Sequence, residues 1–183
     1  DDVLGLRIVY QYIGGRDRDH DVELNPKPLQ RPLPIYISGH SKRTPARIAR
    51  WATGISLSIS ATSASGETVE EAMKKLHYDI AIEGKDLSDF DIEVSTRLRL
   101  GRTHEEAVSG FKESWIGRRF SKNIDLHLAN NLVGTVEEVI EKVARYEKCG
   151  IDLCMTTDTA VGTVNEMLEQ MQWFSEEIIS RFK

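Results

Sequence analysis

Apolar and polar residues alternate through positions 91–100, with Thr96 the one polar residue on the apolar side. Ile92, Val94, Leu98 and Leu100 fall on one face, and Glu93, Ser95, Arg97 and Arg99 on the other, because side chains along a strand alternate with period two. Residues 55–60 split in the same way, with Ile55, Leu57 and Ile59 opposite Ser56, Ser58 and Ser60. Residues 151–156 set Ile151, Leu153 and Met155 against Asp152, Cys154 and Thr156. A fourth β-branched run covers 34–38. The pattern predicts that Ile35, Ile37, Leu57, Val94, Leu98, Leu153 and Met155 are buried against helices. Ser58, Arg97 and Cys154 are expected on the other side of the same sheet.

Helix starts punctuate these strands. Thr-x-x-Glu boxes stand at Thr68/Glu71, Thr103/Glu106, Thr135/Glu138 and Thr163/Glu166. In such a box the hydroxyl accepts from an early helix N–H and the carboxylate bonds back to the cap. Thr44-Pro45 reads as a fifth start, a capping residue followed by proline at the first helical position. A helix over 136–149 stops at Gly150. Residues 2–13 read as a helix, 14–33 as a polar connecting loop, and 164–182 as a final helix. One extra helix is expected between the third and fourth strands.

Strands that alternate with capped helices imply a parallel sheet. A parallel sheet with helices on both faces is apolar on both sides, whereas here one side of three strands is polar. A barrel explains this, with its outer face against helices and its inner face lining a polar cavity. The fold class expected is therefore α/β, a (β/α)8 TIM barrel with about four strand–helix units in this chain. The competing architecture is a flavodoxin-like binding domain. The whole of 1–183 is read as one domain, with 117–133 as a candidate lid segment.

Glycine and hydroxyl residues crowd the connections that come after the strands, notably Gly39-His40-Ser41-Lys42-Arg43 and 61–66. In (β/α)8 proteins these loops form the active face. Ahead of a helix N-terminus they also suit an anion. Arg97 and Arg99 leave two readings open: a salt bridge to Glu93 or to a strand outside this chain, or a cavity charge facing an anionic group. Arg118 and Arg119 read as a solvated basic pair.

Composition narrows the classes. The chain has 183 residues, 40% apolar and 29% charged, with a net charge of −5. That charge argues against a general nucleic-acid surface, and no apolar run approaches the ~20 residues of a membrane span. Cys149 and Cys154 are expected as reduced thiols of a cytoplasmic protein. His20 among Asp17, Asp19 and Asp21 lies in a loop without fixed ligand geometry, and His104 has no second histidine four residues on, so no metal site is expected. With no initiator methionine, and a start that reads like the inside of a helix, the chain is expected to be a piece of a longer protein.

Three stretches resemble the bacterial-luciferase-like flavin monooxygenase family, which includes alkanesulfonate monooxygenase and the F420-dependent reductases. Asn25-Pro26-Lys27-Pro28-Leu29-Gln30-Arg31-Pro32-Leu33-Pro34-Ile35-Tyr36-Ile37-Ser38-Gly39-His40-Ser41 is similar to the family's entry into its fifth barrel strand. Gly84-Lys85-Asp86-Leu87-Ser88-Asp89-Phe90 resembles its "G-R-D-P-x-x-F" before the seventh strand. Val133-Gly134-Thr135-Val136-Glu137-Glu138-Val139, followed by Gly150-Ile151-Asp152, resembles its "V-G-T-P-E-E-V … G-I-D" before the eighth. The chain departs from the family at Thr53-Gly54-Ile55, where "D-G-W" is usual, and at Val136, where proline is usual.

The resemblance implies the C-terminal half of such a barrel. It implies a flavin-dependent oxidoreductase, a monooxygenase using reduced FMN and oxygen on a small organic substrate. The alternatives are an F420-dependent hydride-transfer reductase or dehydrogenase, and a non-catalytic, flavin-binding or self-associating truncated barrel. By the same resemblance Gly39, His40, Ser41 and Thr44 hold the cofactor phosphate. Ser95 and Arg97 occupy positions that are polar and catalytic in alkanesulfonate monooxygenase, with different residue types, and Arg99 joins them as a cavity candidate. The partners implied are a flavin reductase or F420 supply, and a second copy or the missing N-terminal half.

Overall fold

The caps form largely as their spacing dictates. Thr68, Thr135 and Thr163 each close a reciprocal box with the glutamate three residues on, opening α3 (Val69–Ile82), α7 (Val136–Lys148) and α8 (Val164–Glu177). Thr103 accepts from the Glu106 N–H to open α4 (His104–Glu113), but the Glu106 carboxylate takes the Arg102 N–H instead of the cap's own. Gly150 ends α7 at φ +82. The start at Thr44 differs by one residue: α1 (Thr44–Trp51) has Arg43 at its N-cap, without a side-chain cap bond. Arg43 already has helical dihedrals (φ −93, ψ −6), so Thr44 lies inside the helix and its hydroxyl turns back to Ser41.

A computed structural model describes Leu29 and residues 32–182. The helix expected at 2–13 and most of the loop at 14–33 lie outside the described residues. The chain divides into two units, Asp1–Leu33 and Pro34–Lys183, and the described strands and helices all belong to the second.

Five parallel strands form its sheet: β1 (Tyr36–Ile37), β2 (Gly54–Ser58), β3 (Asp91–Leu100), β4 (Leu132–Gly134) and β5 (Leu153–Thr159). β1 pairs with β2 and β2 with β3, while β5 runs along β3 from Glu93 to Leu98. β2 and β5 overlap along β3 and so occupy its opposite edges. Apart from β4, the strands therefore follow chain order, β1-β2-β3-β5. A doubly wound sheet such as the flavodoxin type reverses its order at a switch point, and this one does not. The short β4, unforeseen in the sequence, pairs with Leu98–Leu100 above the end of β2. Between β3 and β5, where two helices were expected, one from Thr103 and one over 136–149, four form: α4, α5 (Trp115–Arg119), α6 (Ile124–Asn130) and α7.

β3 buries every second residue, as its alternation requires. Leu57, Ile92, Val94, Leu98 and Leu100 pack with Val69 and Met73 of α3, Val139 and Tyr146 of α7, and Ile178 beyond α8. Ile37 is partly buried, but Ile35 lies outside the two-residue β1 and is exposed.

In β5 the expected sides are reversed. Leu153 and Met155 are 54% and 42% exposed, while Cys154 packs into the core beneath the helices. The cause is register. Cys154 stands beside Val94, which faces the helices, so Leu153 and Met155 fall beside Glu93 and Ser95. Asp152 fixes that register, since its N–H donates to the Ile92 carbonyl (2.9 Å) and its carboxylate accepts the Ile92 N–H (2.8 Å). Bulky Tyr146 already fills the core at this point, and a small thiol fits below it. β5 also continues through Asp158 and Thr159, beyond the expected run of 151–156.

Lys142 of α7 joins the layers above the sheet. Its ammonium donates to the carbonyls of Leu128 (2.7 Å), Asn131 (3.0 Å) and Val133 (2.8 Å). Burial pulls its pKa down to about 8, which still leaves it charged at neutral pH. Lys142→Met should strand three carbonyls and lower stability by about 2–3 kcal/mol. A denaturant midpoint within ~0.5 kcal/mol of wild type would contradict this.

Candidate functional site

The turn after β1 brings together the residues expected at a cofactor phosphate. Gly39 has φ +148, a region that favours glycine, and a Cβ there would meet the Thr44 hydroxyl at 3.0 Å. Ser41 Oγ and Thr44 Oγ1 lie 3.0 Å apart, and the Thr44 N–H donates to the Ser41 carbonyl at 2.9 Å. Their mutual bond uses one hydroxyl hydrogen and leaves the other to donate outward. The first turn of α1 carries no acidic residue and no side-chain cap, so its positive end meets no competing carboxylate. Gly39, His40 and Ser41 are exposed beside Lys42 and Arg43, while Thr44 is buried. The donor set suits a phosphate.

The helix-free face of β2 and β3 carries the second group. Glu93 accepts from both Ser56 and Ser95, each at 3.3 Å. Ser95 is thereby engaged low on the face, and Glu93 does not pair with Arg97. Arg99 turns away to brace the structure. It donates to the Ala160 carbonyl (3.2 Å), and its guanidinium occupies the space a side chain at Gly110 of α4 would need. No hydrogen bond links Arg97 or Arg99 to the 39–44 turn among the described residues.

Arg97 lies toward the end of β3 where the connections gather. Its guanidinium donates to Ser60, its Cζ lies 5.4 Å from the centre of the Phe120 ring, and its backbone N–H donates to Asn131 Oδ1 at 2.9 Å. Asp158 is its cross-strand neighbour on β5, beyond a bulge between Thr96 and Arg97. Burial lowers the Arg97 pKa, and the Asp158 charge opposes that shift. His127 of α6 is buried and stacks on Phe120 (4.4 Å, 24°). Burial, and secondarily Arg97, lowers its pKa, favouring the neutral ring.

Ser60, Phe120, His127, Asn131 and Asp158 were not singled out in the sequence. Only the run Asn130-Asn131 ahead of the apolar pair Leu132-Val133 hinted at a buried polar junction. The segment 117–133 folds into α5, α6 and β4, with Phe120, Ile124 and Leu128 packed on Phe111, Ile116 and Val133.

No protein-family profile matches this chain, and no curated protein matches it. Solved structures do. The chain is similar to the monooxygenase RslO1 from Streptomyces bottropensis, at 19% identity and a TM-score of 0.63, over 97% of this chain and 56% of that one. It is also similar to an F420-dependent secondary alcohol dehydrogenase in complex with an F420-acetone adduct (16%, TM-score 0.59, 92% and 55%). A third is the coenzyme F420-dependent tetrahydromethanopterin reductase from Methanopyrus kandleri (14%, TM-score 0.53, 82% and 51%). The chain spans about half the length of these proteins, and shares their fold over that span.

Proposed function

We propose that this chain is the C-terminal half of a luciferase-like (β/α)8 barrel, and that its parent protein is a flavin-dependent oxidoreductase of the monooxygenase class. The observation that carries the reading is the Gly39–Thr44 turn, a hydroxyl pair at an uncapped helix start directly after the first strand of an unreversed parallel sheet. Likeness in fold to a monooxygenase and to F420-dependent enzymes supports it.

Gly39, Ser41 and Thr44 would hold the phosphate of FMN through backbone and hydroxyl donors, with His40, Lys42 and Arg43 around the rim. Bound FMN supplies the redox chemistry. The chain's own residues bind and orient: the polar face of β2 and β3 lines the cavity, and Arg97 places positive charge in it. F420 is the second reading of the cofactor, favoured by the two F420-dependent structures of like fold. The proposed partners are a small organic substrate, a flavin reductase or F420 supply, and a second copy of the chain or the remaining barrel units.

The test is amide NMR of the full chain titrated with FMN, F420 and inorganic phosphate. FMN should move the amide signals of residues 39–47. Ser41→Ala combined with Thr44→Ala should weaken binding by about tenfold or more, since hydrogen bonds to a charged group contribute ~1.5–3 kcal/mol each. Binding of F420 alone would assign that cofactor. Failure of both cofactors to bind, or unchanged affinity in the double variant, would overturn the proposal.

A further inference from the structure

The space between α7, β5 and the end of α8 is not filled by the chain itself. A cavity of about 440 Å³ lies there, within the ~300–1,000 Å³ range of small-molecule sites. Val143 and Tyr146 of α7, Cys154 of β5, and Phe174 and Ile178 at the end of α8 supply apolar walls. Unfilled space beside such walls forfeits packing contacts, and an apolar occupant restores them.

Its place in the fold separates it from the cofactor turn. Asp152 immediately precedes β5 and Glu147 lies in the last turn of α7, so the cavity opens where a strand begins. The Gly39–Thr44 turn follows the end of a strand. Cys154 faces the helices, away from the polar side of β3.

The charge of the lining selects the occupant. The Glu147 and Asp152 carboxylates are both exposed, where the cavity meets solvent. Neither has an ion-pair partner within 4 Å among the described residues. Among those residues no lysine, arginine or histidine lines the cavity. Asp152 Oδ2 accepts the Ile92 N–H, which leaves Oδ1 free to accept. Phe182, exposed on the closing turn Ile179–Phe182, adds a ring whose face attracts a cation. An anionic amphiphile would meet like charge at this mouth. A protonated amine would meet two carboxylates and an aromatic ring, while its hydrocarbon body leaves water for the apolar interior.

We propose that this cavity binds an organic ammonium ion, an amine with a hydrocarbon body, whose charged end rests at Glu147 and Asp152. The inference does not depend on the cofactor reading, since the two sites lie at opposite ends of the strands and share no residue.

The test is calorimetric titration of the full chain with octylamine, octanol and octanoate at neutral pH, three ligands that share one chain length and differ in charge. Octylamine should bind about tenfold or more tighter than octanoate, with octanol between them, because the two carboxylates attract one end group and repel the other. Glu147 is exposed, so its variants should fold normally. Glu147→Gln should weaken octylamine by several-fold and leave octanol unchanged, and Glu147→Lys should remove the preference for amine over carboxylate. Cys154 reports the location: in a Cys149→Ser background, saturating octylamine should slow methanethiosulfonate labelling of Cys154 by several-fold. Val143→Phe, which fills the cavity from α7, should weaken all three ligands alike. Should that variant fail to melt cooperatively, the Glu147 variants and the Cys154 labelling decide the matter. Octylamine should leave the amide signals of residues 39–47 unmoved, so loss of the cofactor reading and loss of this one are told apart. Octanol or octanoate binding as tightly as octylamine would overturn the proposal. So would an unchanged preference in Glu147→Lys, or Cys154 labelled at the same rate with the amine bound.

Discussion

Replacing Asn130 by alanine is expected to lower unfolding stability by about 3–5 kcal/mol, because several buried polar groups lose their partners at once and each such loss costs ~1–3 kcal/mol. The side chain is fully buried at the end of α6. Its Oδ1 accepts the Val69 N–H at 3.2 Å, one of the first donors of α3, which has no partner within its own helix. Its Nδ2 donates to Ser63 Oγ (3.1 Å) and to the Glu67 carbonyl (2.9 Å), holding the link between α2 (Ile59–Ala64) and α3. Its backbone carbonyl accepts the Tyr146 hydroxyl from α7. One residue thus joins α2, α3, α6 and α7. Alanine would remove the side-chain bonds and also open a small void. Tyr146→Phe removes only the hydroxyl and should cost about 1 kcal/mol. Urea melts of both variants, with unchanged slope, give the comparison. A loss below ~1 kcal/mol for the alanine variant would show that the junction can rearrange around the gap.

How legible each feature was in the sequence depends on the range of the interactions that make it. The boxes at Thr68, Thr135 and Thr163 span three residues, so the local chain determines them. The alternation in 91–100 is equally local, and β3 buried the side it indicated. The sidedness of β5 was not local. Hydrophobicity favoured Leu153 and Met155 as core, but pairing with β3, some sixty residues away in the chain, put Cys154 inward. β4 was too short to show a period, and it gains its place from pairing with Leu98–Leu100 rather than from its own composition. Thr44 was displaced by one position because Arg43 joins the helix, and that shift left its hydroxyl to pair with Ser41. Arg97 could be placed on the polar face of β3 from period two alone. Phe120 and His127 could not, since nothing in residues 115–131 indicates that the segment folds back over the end of β3.

Light scattering of the full chain should give a mass above the 20.7 kDa of one copy, because the sheet is incomplete among the described residues. β1 and β5 each pair along one edge only, and unpaired edges recruit further strands. Leu153 and Met155 stand exposed on the face where a closed barrel would bury them. Val164, Leu168 and Met171 of α8, spaced four and three residues apart, form an exposed apolar stripe on the same last unit. A single exposed leucine means little, but edge, face and stripe lie together on consecutive elements. Met155→Lys should reduce the associated fraction, since it puts a charge on the face that association covers while leaving the core beneath Tyr146 intact. Val164→Lys on the exposed side of α8 should act in the same direction without touching the sheet. Supplying the upstream barrel units as a second chain should replace self-association with a one-to-one complex. A single-copy mass together with a cooperative melt would refute this. Such a result would mean that the open sheet is stable unaided, and the half-barrel reading would give way to an independently folding binding domain.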